Sequence, residues 1–319
     1  MKWTLSPALS REEDVAGIDI GDRTIAAARV ESEPPNGLRL THAGCLDYDP
    51  AAPERQTALA VRALWRKAEI PTRTVCSCLH SRATAVRYFQ YPNLSEEELD
   101  SALLLEAEET LQLSRDEILM DWLLNEQRDG AAAGESASKE GVLVATPRTD
   151  VERHLSLLSR AGLFPIVLDI GCLAVANLFA ALKTASDASK VVCLVHLDDR
   201  RADVAILFTG NRICPRTVYT RAASWRESSD HLASCLTDLF KYHEFKLRQP
   251  AVEQVILTGR PADDDLTEAL REQTRLPVDR WDPWPDIPWK SARADRWARQ
   301  EPDLGARLAV GLGAALRRE

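Results

Sequence analysis

The chain has no apolar run long enough to cross a bilayer, and its opening residues, MKWTLSPALSREED, lack the apolar centre of a secretory signal. It is therefore expected to be soluble and to meet a membrane only through partners. Its seven cysteines, at 45, 76, 78, 172, 193, 214 and 235, form no CxxC pair and no Cys/His spacing suited to zinc. An odd, scattered set fits reduced, buried thiols in a cytoplasm. Six histidines build no HExxH, and neither GxSxG nor GxxxxGK occurs. An excess of basic charge is missing too: the net charge is −9. That speaks against nucleic acid as a partner.

What is present begins with VAGIDIGDRTIAAARV, Val15 to Val30. Two apolar runs flank the turn GDR, which predicts a β-hairpin. Asp19 lies in an otherwise apolar strand, where a carboxylate is costly unless paired, hydrated or near a metal. Gly21 lets the backbone approach a ligand closely. Two readings stand: Asp19 holds a hydrated Mg²⁺ while turn amides face a phosphate, or Asp19 caps a turn that Gly21 makes. Asp-x-Gly is too short to decide between them.

Along the chain, LRLTHAGCLDYD reads as a third strand and PERQTALAVRALWRKAEI as a helix. NLSEEELDSALLLEAEETLQL predicts a helix opened by a capping box, Ser95 with Glu98. TDVERHLSLLSRAG predicts another, capped by Thr149 or Asp150 and stopped by Gly162. A second set of three strands starts at VVCLVHLDD, followed by a long helix, the strand QVILTG, a helix, the strand LPVDRWDP and the closing helix DLGARLAVGLGAALRR. Each half thus opens with antiparallel strands and continues with alternating helices and strands, which fits two α/β lobes around a cleft.

The order of these pieces resembles the actin-like ATPase superfamily and, within it, the PilM family of type IV pilus assembly. GIDIGDRTI resembles the first phosphate motif, and VRYFQYPNLSEEELDSALLLEAEETLQLSRDEILMDW resembles the inserted subdomain of that family. VLVATPRTDVERHLSLLSRAGLFPIVLDIGCLAVANLF resembles the segment linking the lobes, and VEQVILTG the adenosine motif. The resemblance implies a two-lobed actin-like (RNase H-like repeat) α/β fold with a small inserted subdomain in the first lobe. Expected boundaries are 1–165 for the first lobe, with the insert at about 71–127, then 166–304 for the linking helix and second lobe. Residues 305–319 form a helix returning toward the cleft. It also implies a cytoplasmic scaffold that docks the basic tail of a PilN-like inner-membrane protein and, through it, a PilO-like protein.

The resemblance further implies a Mg-ATP cleft, in which Asp19, Gly21, Asp169 and Gly259 are the retained positions and Asp19 is the metal ligand if Mg²⁺ binds. The sequence departs from the pattern elsewhere. Asp22 replaces a small hydroxyl residue, and Ala26 replaces a lysine. Aligned through ADVAIL, the second phosphate motif reads His196, Leu197, Asp198 where Asp-hydrophobic-Gly is usual. Arg200 and Arg201 follow, read as solvated turn residues. After Gly259 come Arg260, suited to stacking on a base or to blocking the site, and Pro261. Asp169 reads as a helix cap in preference to an acid near an attacking water. The expectation is weakened or lost ATP binding, no hydrolysis and no resident cofactor. The alternatives are an ATP-binding switch of the same fold, a superfamily small-molecule kinase, and a separately encoded L-type subunit of type II secretion.

Two features need no family. Between Asn93 and Gln127 eleven acids meet one base, Arg115. This is a solvated face or a docking surface for a basic tail. Trp281, Trp284, Trp289 and Trp297 cluster among prolines, reading as packing in preference to an interface anchor.

Overall fold

A computed structural model describes residues 14–33, 37–125, 138–182, 190–208, 212–288, 290–291 and 303–317. The first hairpin forms as its alternation of apolar runs and turn requires: β1 (Ala16–Ile20) pairs antiparallel with β2 (Thr24–Glu33), and β2 with β3 (Gly37–Asp47). Helix α1 (Glu54–Ala68) buries Ala58, Val61, Leu64 and Trp65 and ends at Glu69 with φ 51. It returns the chain to β4 (Thr74–Cys78), parallel to β1.

A separate antiparallel sheet of three strands then branches off: β5 (Ala85–Pro92), β6 (Ile118–Leu124) and, central between them, β7 (Ser138–Pro147). The acidic helix α2 (Glu96–Leu111) covers it, burying Leu99, Leu103 and Ala107. Ser95 and Glu98 make the expected capping box. The strands of this small sheet therefore span 85–147, where 71–127 was expected. Strand β4 joins the first sheet instead, and β7 is the strand that satisfies the inner edges of both β5 and β6.

Helix α3 (Arg148–Ala161) has Pro147 and not Thr149 or Asp150 at its N-cap; Asp150 lies inside the first turn, where it accepts the Ser81 hydroxyl across the fold. It stops at Gly162, with φ 79, as expected. Strand β8 (Phe164–Asp169) completes the first sheet in the order β3-β2-β1-β4-β8, so the expected boundary at 165 falls inside a strand. Helix α4 (Gly171–Leu182) leads to the second lobe.

That lobe repeats the plan. Strands β9 (Val192–Leu197), β10 (Arg201–Phe208), β11 (Arg212–Tyr219), β12 (Gln254–Thr258) and β13 (Val278–Arg280) form a sheet ordered β11-β10-β9-β12-β13. Its two antiparallel and two parallel pairings match those of the first sheet position for position. Helices α5 (Ser229–Lys241), α6 (Asp264–Thr274) and the short α7 (Pro283–Asp286) complete it. The last helix, α8 (Leu304–Ala315), is apolar and buried nearly all round. It lies on β1, β2 and β4 of the first sheet and against α4. Gly17 makes this possible: a Cβ there would sit 2.1 Å from the carbonyl oxygen of Gly311.

Candidate functional site

The register of the two repeats puts the suspected motifs in correspondence. In the first lobe Ile20 pairs with Ile25 across the turn; in the second Leu197 pairs with Ala202. Asp198 thus stands where the first lobe has Gly21, and His196 where it has Asp19. The two turns, Gly21–Arg23 and Asp198–Arg200, face one another across the lobes.

They are bonded directly to each other. The Asp22 N–H donates to Asp198 Oδ2 at 2.6 Å, and the Arg200 N–H donates to Asp22 Oδ2 at 2.8 Å. The other Asp198 oxygen accepts the Asp199 N–H at 2.8 Å. Arg23 pairs with Asp199 at 2.7 Å. A Cβ on Gly21 would lie 2.4 Å from Asp198 Oδ2, so the close approach that this glycine allows is taken up by a carboxylate of the opposite lobe. Tyr48 closes the hairpin from outside by donating its hydroxyl to the Gly21 carbonyl at 2.7 Å. The Trp225 indole fixes the opposite turn by donating to the Asp198 carbonyl at 2.6 Å. Burial and then the neighbouring Asp198 charge push the Asp22 carboxyl above its ordinary value.

Beneath the turns lies a buried polar cluster. Asp19 bonds His80, which contacts Arg201 Nη2 at 3.3 Å. Arg201 also reaches Asp198 at 3.3 Å and Asp203 at 2.9 Å. Burial raises the Asp19 carboxyl, but His80, Arg201 and His196 outweigh it and hold it below its ordinary value. Arg201 is only 2 % exposed, so the expectation of a solvated turn residue is corrected for it. As the first residue of β10 it points inward, where the surrounding carboxylates raise it above its ordinary value. Arg200 is exposed as expected. His196 is buried, and its Nδ1 has no hydrogen-bond partner among the described residues.

The other expected positions take structural roles. Asp169 ends β8 and accepts the N–H of the next residue, Ile170, at 2.8 Å. Its second oxygen lies 3.5 Å from Arg317 Nε just beyond α8. Burial raises Asp169 and Arg317 offsets part of that. The preferred capping role is thus replaced by a buried ion pair that ties the C-terminal helix to the first sheet. Gly259 has φ 99, and a Cβ there would meet the Leu197 carbonyl oxygen at 2.1 Å. Arg260 pairs with Asp47 of the first lobe at 3.2 Å, beside Arg307, which bonds the same carboxylate.

With this geometry established, comparison with known proteins is decisive. The family model described as type IV pilus assembly protein PilM matches residues 17–225, well over half the chain. The chain belongs to the PilM family. No curated protein sequence matches it significantly. A solved structure described as the "PilM-PilN type IV pilus biogenesis complex" superposes with a TM-score of 0.75 at 20% identity, covering 96% of this chain and 98% of that one. A Bacteroides thetaiotaomicron protein with an actin-like ATPase fold and unknown function superposes with a TM-score of 0.50 at 9% identity, covering 86% and 92%. The fold of this PilM-family chain is the two-lobed actin-like one.

One feature of the PilM-family chain was invisible in the sequence. A cavity of about 490 Å³ opens between α3, the start of α1, the end of β1 and the loop after β4, and His80 of the buried polar cluster is part of its wall. Its lining includes Ile20, Glu54, Arg82, Asp150, Arg153 and His154, brought from four separate segments. No local spacing signals it. His154 Nε2 lies 2.8 Å from the Ser77 hydroxyl, and burial holds its imidazole down to about 4. Arg148 at the start of α3 donates to the Asp116 carbonyl at 3.0 Å, which joins this face to the acidic segment. Within that segment most carboxylates are exposed, among them Glu96, Glu97 and Glu109. Of the clustered tryptophans, Trp284 is buried against α8 and Trp281 packs edge-on to Phe179 with centroids 5.2 Å apart, as the packing reading expects. Trp289 and Trp297 lie outside the described residues.

Proposed function

We propose that this PilM-family protein is a docking scaffold of the type IV pilus inner-membrane assembly and that it works without nucleotide. The clasp between the two turns carries this reading. The amides of Asp22, Asp199 and Arg200 already serve the carboxylates of Asp198 and Asp22. A triphosphate entering there meets two carboxylates and no lysine, and the residues present do not fit it. Asp19 is engaged by His80 and flanked by Arg201, which disfavours a Mg²⁺ ion on it. ATP hydrolysis is therefore not part of the proposed role, and the chain needs no resident cofactor.

The partner proposed is the basic cytoplasmic tail of a PilN-like inner-membrane protein, with a PilO-like protein reached through it. The likeness to a PilM–PilN complex supports the partner, and the cavity beside α3 with the neighbouring acidic surface supports the mode. Apolar tail residues would enter the cavity while basic ones meet the acidic segment. The protein then sits in the cytoplasm against the inner membrane.

Isothermal titration of the full chain with Mg-ATP, and with a basic PilN-type tail peptide with and without ATP, tests the proposal. Peptide binding that ATP does not change, with no heat from ATP alone, is the expected result. Micromolar ATP binding would overturn nucleotide independence and favour a switch of the same fold. Loss of both ligands would overturn the docking role.

A further inference from the structure

The end of the first lobe farthest from the clasp has the opposite electrostatic character from the rest of the chain. β4 and β8 are parallel neighbours, with Thr74 opposite Phe164. Helices α1 and α3 finish at the end where both strands start. There Phe164 is 65% exposed, although it is the first residue of a strand in the core sheet. Arg73 and Phe164 are joined, the Phe164 N–H donating to the Arg73 carbonyl at 2.9 Å. Arg62 reaches across from α1 to the Arg160 carbonyl at the end of α3. Arg66 and Lys67 occupy the last turn of α1.

Arg62, Arg66, Lys67, Arg73 and Arg160 are all exposed; the acids near them are Glu69, Glu54, which lies 3.5 Å from Arg160, and Asp14 and Glu31, which both pair with Arg29 where β1 starts beside Thr72. With Arg29 included, six bases less four acids give +2 on a chain whose net charge is −9. Basic residues at helix C-termini satisfy the helix dipole, and that alone accounts for Arg66, Lys67 and Arg160. It does not account for Arg73 in the loop, nor for an exposed phenylalanine at their centre. The acidic small sheet lies beyond the other end of β4, so the first lobe has a basic pole and an acidic pole.

We propose that this basic pole, with Phe164 as its apolar wedge, rests on an anionic phospholipid bilayer. A few bases and one inserted aromatic ring suit weak, reversible contact with a negatively charged leaflet. The acidic pole is repelled by the same surface, which orients the lobe. This contact is independent of tail docking and departs from the expectation that the membrane is met only through partners.

The test is co-sedimentation of the full chain with vesicles of phosphatidylcholine alone and of phosphatidylcholine with phosphatidylglycerol, at low and high salt. Binding only to the anionic vesicles, and mainly at low salt, is expected. Each base near such a surface is worth about fivefold in partitioning. Arg66→Glu with Arg73→Glu is therefore expected to lower binding at least about tenfold. Phe164→Asp does the same. Lys241→Glu with Lys246→Glu, the same charge change made on exposed residues of the second lobe, is expected to lower it far less. Phe164→Trp should gain fluorescence quenching by brominated lipid beyond that of the native tryptophans, which guards against a variant that merely misfolds. Equal binding to neutral vesicles, no vesicle binding, equal losses in the two charge-reversed pairs, or no added quenching would each overturn the proposal.

Discussion

Asp198 and Asp22 are two carboxylates that meet across a cleft, yet they do different work. Asp198 accepts two backbone N–H groups and faces Arg201, whereas Asp22 accepts one and is raised by burial and by its neighbour's charge. A folded-state pKa above the unfolded one means that ionising Asp22 costs stability as pH rises through the folded value. Asp22→Asn keeps an acceptor for the Arg200 N–H and removes a like charge. It is expected to raise Tm at pH 7, with the gain shrinking toward pH 4. Asp198→Ala strands two amides and is expected to cost about 2 kcal/mol in a denaturant titration. His154 supplies the opposite sign. Its imidazole is depressed to about 4, so between about pH 6.5 and 4 the unfolded chain binds the extra proton and stability falls with pH. His154→Gln should reduce that acid loss; an unchanged slope would show that His154 stays neutral for no energetic reason.

At the scale of elements, α8 is the clearest case of sequence dictated by packing. Its apolar residues run round the whole helix, because it is enclosed by a sheet on one side and α4 on the other. Gly17 of β1 and Gly311 of α8 bring the backbones together without side chains between them. Gly17→Ala would push α8 off the sheet, with an expected loss of about 1–3 kcal/mol as for other overpacked cores. Because Arg317 follows α8 and pairs with Asp169, that displacement should also loosen the end of β8. Hydrogen exchange along β8 would report it. α2 contrasts with α8: its capping box and acidic first turn stabilise it locally, and it leaves a charged face outward.

At the scale of the whole molecule, the lobes are tied by bonds that need no ligand. Asp22 with Asp198 and Arg200, Arg23 with Asp199, and Arg260 with Asp47 all cross between them. In the proposed docking role, lobes tied in this way would present the same surface whether nucleotide is abundant or scarce. In the proposed docking mode the acidic segment on the small sheet would add long-range attraction for a basic tail, so association of the tail peptide should slow and weaken as salt rises. Affinity indifferent to salt would move the docking energy from charge to the apolar cavity.

Much of this was determined by the sequence alone. Local patterns such as the GDR turn, the Ser95–Glu98 box and the Gly162 stop act over a few residues, so their consequences are legible without the fold. The repeated strand order followed from the same patterns, and the register of His196 and Asp198 from the alternation in ADVAIL. Tertiary structure decided what those residues meet. Asp198 filling the space above Gly21, Arg201 turning inward, Arg317 holding Asp169 and β7 completing the small sheet all join segments far apart in the chain. The energy of a carboxylate depends on the charges and amides that folding places around it, and a linear sequence does not state those distances.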